Sequence, residues 1–370
     1  MSDRPAPRVL LACDFLVRYT AMLAGGLARN GAEALLLTRD HDLEFGGRPG
    51  AAREFVAGAA GPAVVHRRVE GRVRSPRGWS QAFRIRAQIG RFAPDVVHLQ
   101  DSIHNDPRLP WAARARRGGF ALTVHDPVRH PGDNTSRRID LATRWMVRAA
   151  GLIFVHGEAL RDELEERFEP AAPVVVIPHG IEPNPVKPSP ESPRVLFFGR
   201  LSRYKGLDVL LDAMQEVWRT LPDATLTIAG EGELEDHPAL SDQRVDLRLG
   251  HIPEEEVPHL IEAATCVALP YRQASQSGVG SLAKAHGRPL VASALGGLPE
   301  LLSDGSGVLV PPEDPARLAA ALVSLLDDRS LAERLGRLGA ATAARESSWE
   351  AVGARTLAAY DEHLLAGQCA

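Results

Sequence analysis

Three cysteines in 370 residues, Cys13, Cys266 and Cys369, are too few and too scattered for a disulfide framework or a cysteine-held metal site. Cys13 and Cys266 sit in apolar strand patterns and read as buried thiols of a reducing compartment. Aromatic residues make up only 5% of the chain. Rings are not interleaved with basic residues, and the formal net charge is −4, so nucleic acid is not an expected partner. No run approaches the roughly 18 apolar residues of a membrane-spanning helix. The opening "MSDRPAPRVLLA" has too short an apolar run for a secretory leader and passes straight into a strand pattern. Together these absences lead us to expect a cytoplasmic protein.

What is present is ordinary in bulk and uneven in detail. Apolar residues reach 44% and charged residues 24%, as in soluble globular proteins. The length exceeds what one hydrophobic core usually organises, which predicts two domains. Residues 1–186 hold 26 Arg, no Lys and 21 acidic side chains, a net of +5, whereas residues 187–370 carry −9. Arg67, Arg68, Arg72, Arg74, Arg77, Arg84, Arg86 and Arg91 cluster around a single acid, Glu70. Three readings of that cluster stay open: a solvated face, an attractor for an anionic acceptor, and a peripheral contact with the inner face of the membrane.

Short apolar runs alternate with helical patterns along the whole chain. Strands are expected over 8–13, 33–38, 95–99, 120–124, 151–155 and 174–178. A second series follows over 194–199, 224–230, 245–250, 265–270, 289–293 and 307–310. Helices are expected over 19–30, 138–149, 158–168, 206–219, 255–264, 278–286 and 315–326. Such runs separated by helices predict parallel sheets with right-handed crossovers, and two successive sets predict two doubly wound, Rossmann-like α/β domains. Between them "EPNPVKPSPESP" (182–193) carries five prolines in twelve residues and reads as a surface linker. The expected division is 1–186, 187–345, and a C-terminal helical segment over 346–370. A cleft between the two domains is the default ligand site.

Several strand ends carry chemistry. In "VLFFGRLSRYKGLDVLL" a strand ends at Gly199, Arg200 follows at once, and Lys205 precedes a helix start. Two cations beside a helix N-terminus suit a diphosphate. "TIAGEGEL" marks a tight turn with Glu231 as a ligand or capping residue, and its glycine spacing is wrong for a dinucleotide fingerprint. In "TCVALPYRQASQSGVG" the strand gives way to a polar turn. The N–H groups near Ser277, Gly278 and Val279 are orphan donors at a helix start, although Ser277 also suits a plain N-cap. "LTVHDPVRHPGD" places His125 and Asp126 just beyond a strand, in an ordered loop continuing through His130, Pro131 and Gly132. No third partner gives them metal-ligand spacing. "VVIPHGIEPNP" puts His179 and Gly180 at the domain boundary.

In this order the motifs resemble the retaining glycosyltransferases of the GT-B fold, family 4, also called group 1. The likeness rests on "GRLSRYKG", "IPHG", "AGEGEL", "AHGRPLVAS" and "GGLPEL", in register over nearly the whole chain. It implies two Rossmann-like domains facing across a cleft, with the final helix crossing back onto the first. It also implies that Gly199, Arg200 and Lys205 bind the diphosphate of a nucleotide sugar. The N–H groups of Gly278 and Val279 would meet the distal phosphate, and the loop "GHIPEEEV" would approach the base with Ile252. His125, with Asp126 nearby, would lie beside the donor sugar. The implied activity is transfer of a glycosyl group, expected to be hexosyl, to a hydroxyl of a glycan, lipid-linked glycan or small molecule, with no metal or other cofactor.

The sequence departs from the family twice. Two glutamates usually stand eight positions apart where this chain has Ala274 and Leu282, which shifts donor contacts toward Gln276 and Ser277. The loop "CDFLVRYTAML" lacks the usual glycine-rich turn, so Asp14, Arg18, Tyr19 and Thr20 are expected to line it. The rival expectation is a non-catalytic nucleotide-sugar-binding or scaffold subunit that keeps the fold.

Overall fold

The computed structural model describes residues 5–39, 43–45, 47–70, 75–100, 108–113, 119–127, 137–274 and 276–366, with backbone alone at 137–140. The first series of elements is β1 (Arg8–Cys13), α1 (Val17–Arg29), β2 (Glu33–Arg39), α2 (Ala51–Ala59), β3 (Val64–Val69), α3 (Pro76–Phe92), β4 (Val96–Gln100), α4 (Arg108–Ala113), β5 (Gly119–Thr123), α5 (Arg137–Ala149), β6 (Leu152–Val155), α6 (Glu158–Phe168) and β7 (Val174–Val176). The second is β8 (Arg194–Phe198), α7 (Leu207–Thr220), β9 (Thr225–Gly230), β10 (Val245–Leu249), α8 (Val257–Glu262), β11 (Cys266–Leu269), α9 (Gly278–Ala285), β12 (Leu290–Ser293), α10 (Leu298–Leu301), β13 (Gly307–Val310), α11 (Pro315–Asp327), α12 (Arg329–Glu346) and α13 (Trp349–Tyr360). The chain divides into two units, Met1–Gly180 with Trp349–Ala370, and Ile181–Ser348.

Among the described residues, one unit holds a seven-stranded sheet ordered β3-β2-β1-β4-β5-β6-β7 and the other a six-stranded sheet ordered β10-β9-β8-β11-β12-β13. Every ladder is parallel. Both orders reverse direction beside the first strand of the unit, between β1 and β4 and between β8 and β11, which is where a doubly wound sheet opens a crevice at its carboxyl edge.

Alternation in the strands builds a layer on each face. Val9, Leu11 and Cys13 of β1 join a core with α1, α2 and α13, while Leu10 and Ala12 join another with α3 to α6. In the second unit Val195 and Phe197 pack with α7 and α11, and Leu196 packs with α8 to α10. Cys13 and Cys266 are free and buried in these layers, and burial pushes the Cys266 thiol up to about 12. Cys369 lies outside the described residues.

The last helix belongs to the first unit. A Cβ on Gly26 of α1 would overlap the Trp349 carbonyl, and one on Gly353 of α13 would overlap the Gly26 backbone, so the two helices meet almost backbone to backbone. The Asn30 amide closes the contact by donating to the Glu350 carbonyl (2.9 Å). In the other unit the proline-rich segment is mostly exposed yet pinned. Buried Arg288 donates to the carbonyls of Lys187 (2.9 Å) and Pro188 (3.0 Å), and Ser189 N–H donates to Glu333 (3.2 Å).

Five of these elements were not expected from the pattern: α2, β3, α3, α4 and the one-turn α10. Strand β3, "VVHRRV", pairs only with β2 at the sheet edge, so its arginines reach solvent and the run lacks the apolar continuity of a central strand. Helix α3 starts where Ser75 accepts from Gly78 N–H (3.1 Å) ahead of Pro76, an N-cap followed by a favoured first residue.

Candidate functional site

In the second unit the strand ends converge. Gly199 follows β8 with φ +114°, and a Cβ there would stand 3.1 Å from Lys205 Nζ and 3.4 Å from Val279 Cγ2. Three sequence candidates from two segments therefore meet at the switch between β8 and β11. Gly230 ends β9 with φ +144°, and a Cβ on it would overlap the Gly199 carbonyl. Gly199 N–H donates to Ala229 (3.0 Å), Leu201 N–H to the Glu231 carbonyl (2.7 Å) and Gly250 N–H to Gly230 (2.9 Å), so the loops leaving β8, β9 and β10 stay laced together. They line a cavity of about 550 Å³ bounded by Phe198, Gly199, Arg200, Gly230, Glu231, Gly232, Gly250, His251 and Ile252. Four sequence candidates, Gly199, Arg200, Glu231 and Ile252, share that wall. Glu231 is exposed, and its backbone carbonyl accepts from Leu201 N–H.

Lys205 is buried, and burial lowers the pKa of its ammonium group, with Arg200 pushing the same way and Tyr204 opposing. Its Nζ donates to Tyr271 Oη (3.0 Å) and lies 4.7 Å from that ring's centre. Tyr271 Oη in turn meets Ser277 Oγ at 3.4 Å. Ser277 is the N-cap of α9 and accepts from Gly280 N–H (3.1 Å). The N–H groups of Gly278 and Val279 precede the first bonds of this helix and carry its positive dipole end. A Cβ on Gly278 would meet nothing within 4 Å, so packing does not demand a glycine there. Gln276 is half-buried in the same turn.

Arg272 fastens the two loops. Its guanidinium donates twice to Asp208 at the start of α7 (2.7 Å each), once to Glu313 (2.8 Å) and once to the Arg203 carbonyl (3.1 Å). Its backbone N–H donates to the Tyr204 carbonyl (2.7 Å). Tyr271 and Arg272 did not emerge from the sequence as site residues. The available signal was two large polar side chains immediately beyond the β11 strand end, at the switch point.

The two positions that depart from the glycosyltransferase pattern are apolar in context. Ala274 and Leu282 pack beside Phe198, Ile252 and Val279 against the core formed with α8 to α10.

In the first unit His125 stands beyond β5, and its Nε2 pairs with the Gln100 side-chain carbonyl at the end of β4 (2.8 Å). The ring packs at 4.8 Å from Tyr19 and 4.9 Å from His156. Tyr19 also touches His156, His179 and Trp349 at 5.2, 5.4 and 5.1 Å. Burial, followed by mutual repulsion, holds the His125 pKa well below its ordinary value, so the ring is neutral. Asp126 is exposed next to it. His130, Pro131 and Gly132 lie outside the described residues. Gln100 and His156, at the carboxyl ends of β4 and β6, escaped the sequence reading because each is a single polar residue at the very end of a largely apolar strand.

The loop after β1 differs from expectation. Thr20 is buried with its hydroxyl on the Leu16 carbonyl (2.7 Å), Tyr19 points into the histidine cluster, and Asp14 is buried beside Arg39 (3.5 Å). The Glu44 carboxylate accepts from Val17 N–H (2.6 Å) and Arg18 N–H (3.1 Å), and the Arg18 guanidinium stacks 4.1 Å from the Phe45 ring. The start of α1 is therefore satisfied by the chain's own carboxylate.

The arginine cluster also separates. Arg67 is engaged by Gln88 (2.8 Å), Arg68 by Glu70 (3.5 Å), and Arg86 by the Trp111 carbonyl and ring. Arg77, Arg84 and Arg91 form an exposed stripe on α3 at seven-residue spacing beside Phe83, which is 60% exposed. Arg72 and Arg74 lie outside the described residues. Among the described residues no group of three or more His, Cys, Asp or Glu is arranged to hold a metal ion, and no helix is long and apolar enough to cross a membrane.

Comparison with known proteins bears on both units. Residues 16–184 match the model of Glycosyltransferase Family 4, and residues 192–328 match that of Glycosyl transferases group 1. A glycogen synthase of Mycobacterium tuberculosis is 32% identical over 286 residues, 72% of this chain and 68% of that protein. A phosphatidyl-myo-inositol mannosyltransferase of Mycobacterium leprae is also 32% identical over 286 residues, 72% of this chain and 73% of that protein. The structure of a sucrose-phosphate synthase from Thermosynechococcus elongatus superposes with a TM-score of 0.72 at 20% identity, covering 96% of this chain and 98% of that one.

Proposed function

The chain belongs to the nucleotide-sugar-using glycosyltransferases of family 4, group 1, and from that premise we propose a retaining, metal-independent hexosyl transfer from a nucleoside diphosphate sugar to an acceptor hydroxyl. The observation that carries this reading is the meeting of Gly199, Lys205 and Val279 beside the cavity lined by Arg200. As the bond from the sugar's anomeric carbon to the diphosphate oxygen breaks, negative charge grows on the leaving group. Arg200 and the Lys205 ammonium are preset cationic partners for that charge, and the N–H groups opening α9 are preset neutral donors. The acceptor hydroxyl forms the new bond on the same face, and its proton passes to an oxygen of the departing diphosphate. The family likeness assigns neutral His125, with Asp126 beside it, to the donor sugar. Gln276 is assigned a sugar contact in place of the missing glutamate, and Ile252 an apolar contact with the base.

The test is a thermal-shift screen of nucleoside diphosphate sugars, followed by turnover and NMR of the product's anomeric configuration. A true donor at 100 times its Kd should add about 2.7 kcal/mol of stability. Transfer with inversion would remove the retaining mechanism. Binding of a donor without turnover on glycan, lipid-linked or small-molecule acceptors would favour a scaffold subunit, a reading that the apolar setting of Ala274 and Leu282 supports.

We also propose that the Arg77–Arg84–Arg91 stripe with Phe83 meets an anionic membrane surface, placing a cytoplasmic enzyme at the inner face. Each arginine near such a surface contributes about 1 kcal/mol. Replacing all three with Glu should abolish salt-sensitive flotation with phosphatidylglycerol vesicles and leave the melting temperature unchanged. Equal flotation of both proteins would remove the membrane assignment.

A further inference from the structure

Lys205 cannot choose its own position. A lysine side chain has four rotatable bonds, and its ammonium group is free to point toward or away from the Gly199 backbone. Two features of this chain restrict it: the buried Tyr271 hydroxyl accepts a hydrogen bond from its Nζ at 3.0 Å, and the Tyr271 ring lies beneath it. The same hydroxyl reaches Ser277 Oγ at 3.4 Å, and Ser277 opens the helix whose first N–H groups face the proposed diphosphate. One phenol thus touches both anion-binding elements, the loop after β8 and the start of α9.

We propose that Tyr271 is a positioning residue for the transfer, holding the Lys205 ammonium and the Ser277 cap in register before the donor arrives. Tyr271 itself makes no bond to the sugar or the diphosphate in this scheme. It acts through Lys205, and Arg272 reinforces it by tying the same two loops through Asp208 and the Tyr204 carbonyl. Preorganisation of this kind matters most where charge develops, because a donor already aimed at the leaving group needs no reorganisation during the reaction. The inference rests on the donor-site reading above.

A double-mutant cycle tests it on the full chain, using the donor found in the thermal-shift screen. Lys205→Ala alone should lower kcat/KM by about 100-fold, the range seen when one charge-stabilising donor is removed. Tyr271→Phe, which keeps the ring, should lower it by about 10-fold, mainly through kcat. In the Lys205→Ala background Tyr271→Phe should cost clearly less, because only its contact with the Ser277 hydroxyl remains. Equal losses in both backgrounds, or no loss in the wild-type background, would overturn the proposal. If Lys205→Ala leaves both nucleoside diphosphate affinity and turnover intact, the donor-site reading itself fails, an outcome distinct from the other two. Should Tyr271→Phe not fold, Tyr271→His keeps a ring and a polar atom and enters the same cycle.

Discussion

Gly278→Ala is expected to keep the fold and weaken nucleotide binding, whereas Gly230→Ala is expected to destabilise the fold. The two glycines lie at the carboxyl edge of one sheet, Gly230 at the end of β9 and Gly278 after β11, yet their surroundings differ. At Gly278 a Cβ meets no atom within 4 Å and the backbone is helical, so alanine fits without strain. Replacing glycine by alanine at a compatible position contributes about 0.4–1 kcal/mol of stability through the unfolded chain. The melting temperature should therefore hold or rise slightly. The added methyl group would occupy the approach to the Gly278 and Val279 N–H groups, so nucleoside diphosphate affinity should fall about tenfold, the equivalent of roughly 1.4 kcal/mol.

At Gly230, φ is +144° and the new Cβ would overlap the Gly199 carbonyl. Strain and overpacking are each worth about 1–3 kcal/mol. A combined loss on the order of 4 kcal/mol would lower the melting temperature by roughly 10 °C for a unit of this size. Thermal melts with and without a nucleoside diphosphate separate the cases. A Gly278→Ala protein that melts early, or that binds the nucleotide as the parent does, would show that packing and not a ligand sets glycine at that position.

Sequence reading captured the central strands because they are fully buried. "RVLLAC" and "TCVALP" have no polar side to hide, and the observed β1 and β11 lie within one residue of the expected ends. It failed at β3, where an edge position tolerates Arg67 and Arg68 in the strand. At the site, a glycine at a strand end followed by Arg200 and Lys205 was legible because chain order alone puts those residues at the sheet's carboxyl edge. Tyr271 was not, since its importance comes from two partners, 66 and 6 residues away. Nor was the fate of the loop after β1. The backbone donors that could have faced a ligand are taken by Glu44, a residue 27 positions on from Val17. Local pattern identifies where ligands approach; long-range pairing decides which side chains are still available there.

That same long-range pairing predicts an acid-labile first unit. His98 sits fully buried between the Tyr360 hydroxyl (2.6 Å) and the Thr123 hydroxyl (2.7 Å), and burial lowers its pKa to about 3. His156, buried beside Tyr19 and His179, is lowered to about 3 by burial and then by repulsion from His179. His125 and His179 are lowered in the same direction, again chiefly by burial. The unfolded chain protonates these rings near pH 6.5, whereas the folded chain resists until about pH 3. Below pH 6.5 the unfolded state therefore binds more protons, so stability is fully present above that pH and is lost as pH falls toward 3. Each such histidine costs about 1.4 kcal/mol per pH unit in that window, and His98 and His156 together remove about 3 kcal/mol per unit. A domain's net stability is about 5–15 kcal/mol, so a loss of roughly 3–4 kcal/mol between pH 6.5 and 5.0 is a large share of it. Denaturant titrations at pH 7.5, 6.5, 5.5 and 5.0 would measure the slope. His156→Phe should reduce it by one histidine's share, because phenylalanine keeps a ring in the cluster and takes up no proton. Unfolding free energy that stays level from pH 6.5 to 5.0 would mean that these imidazoles are not held neutral by burial. The packing of Trp349 and α13 around them would then have to tolerate charge.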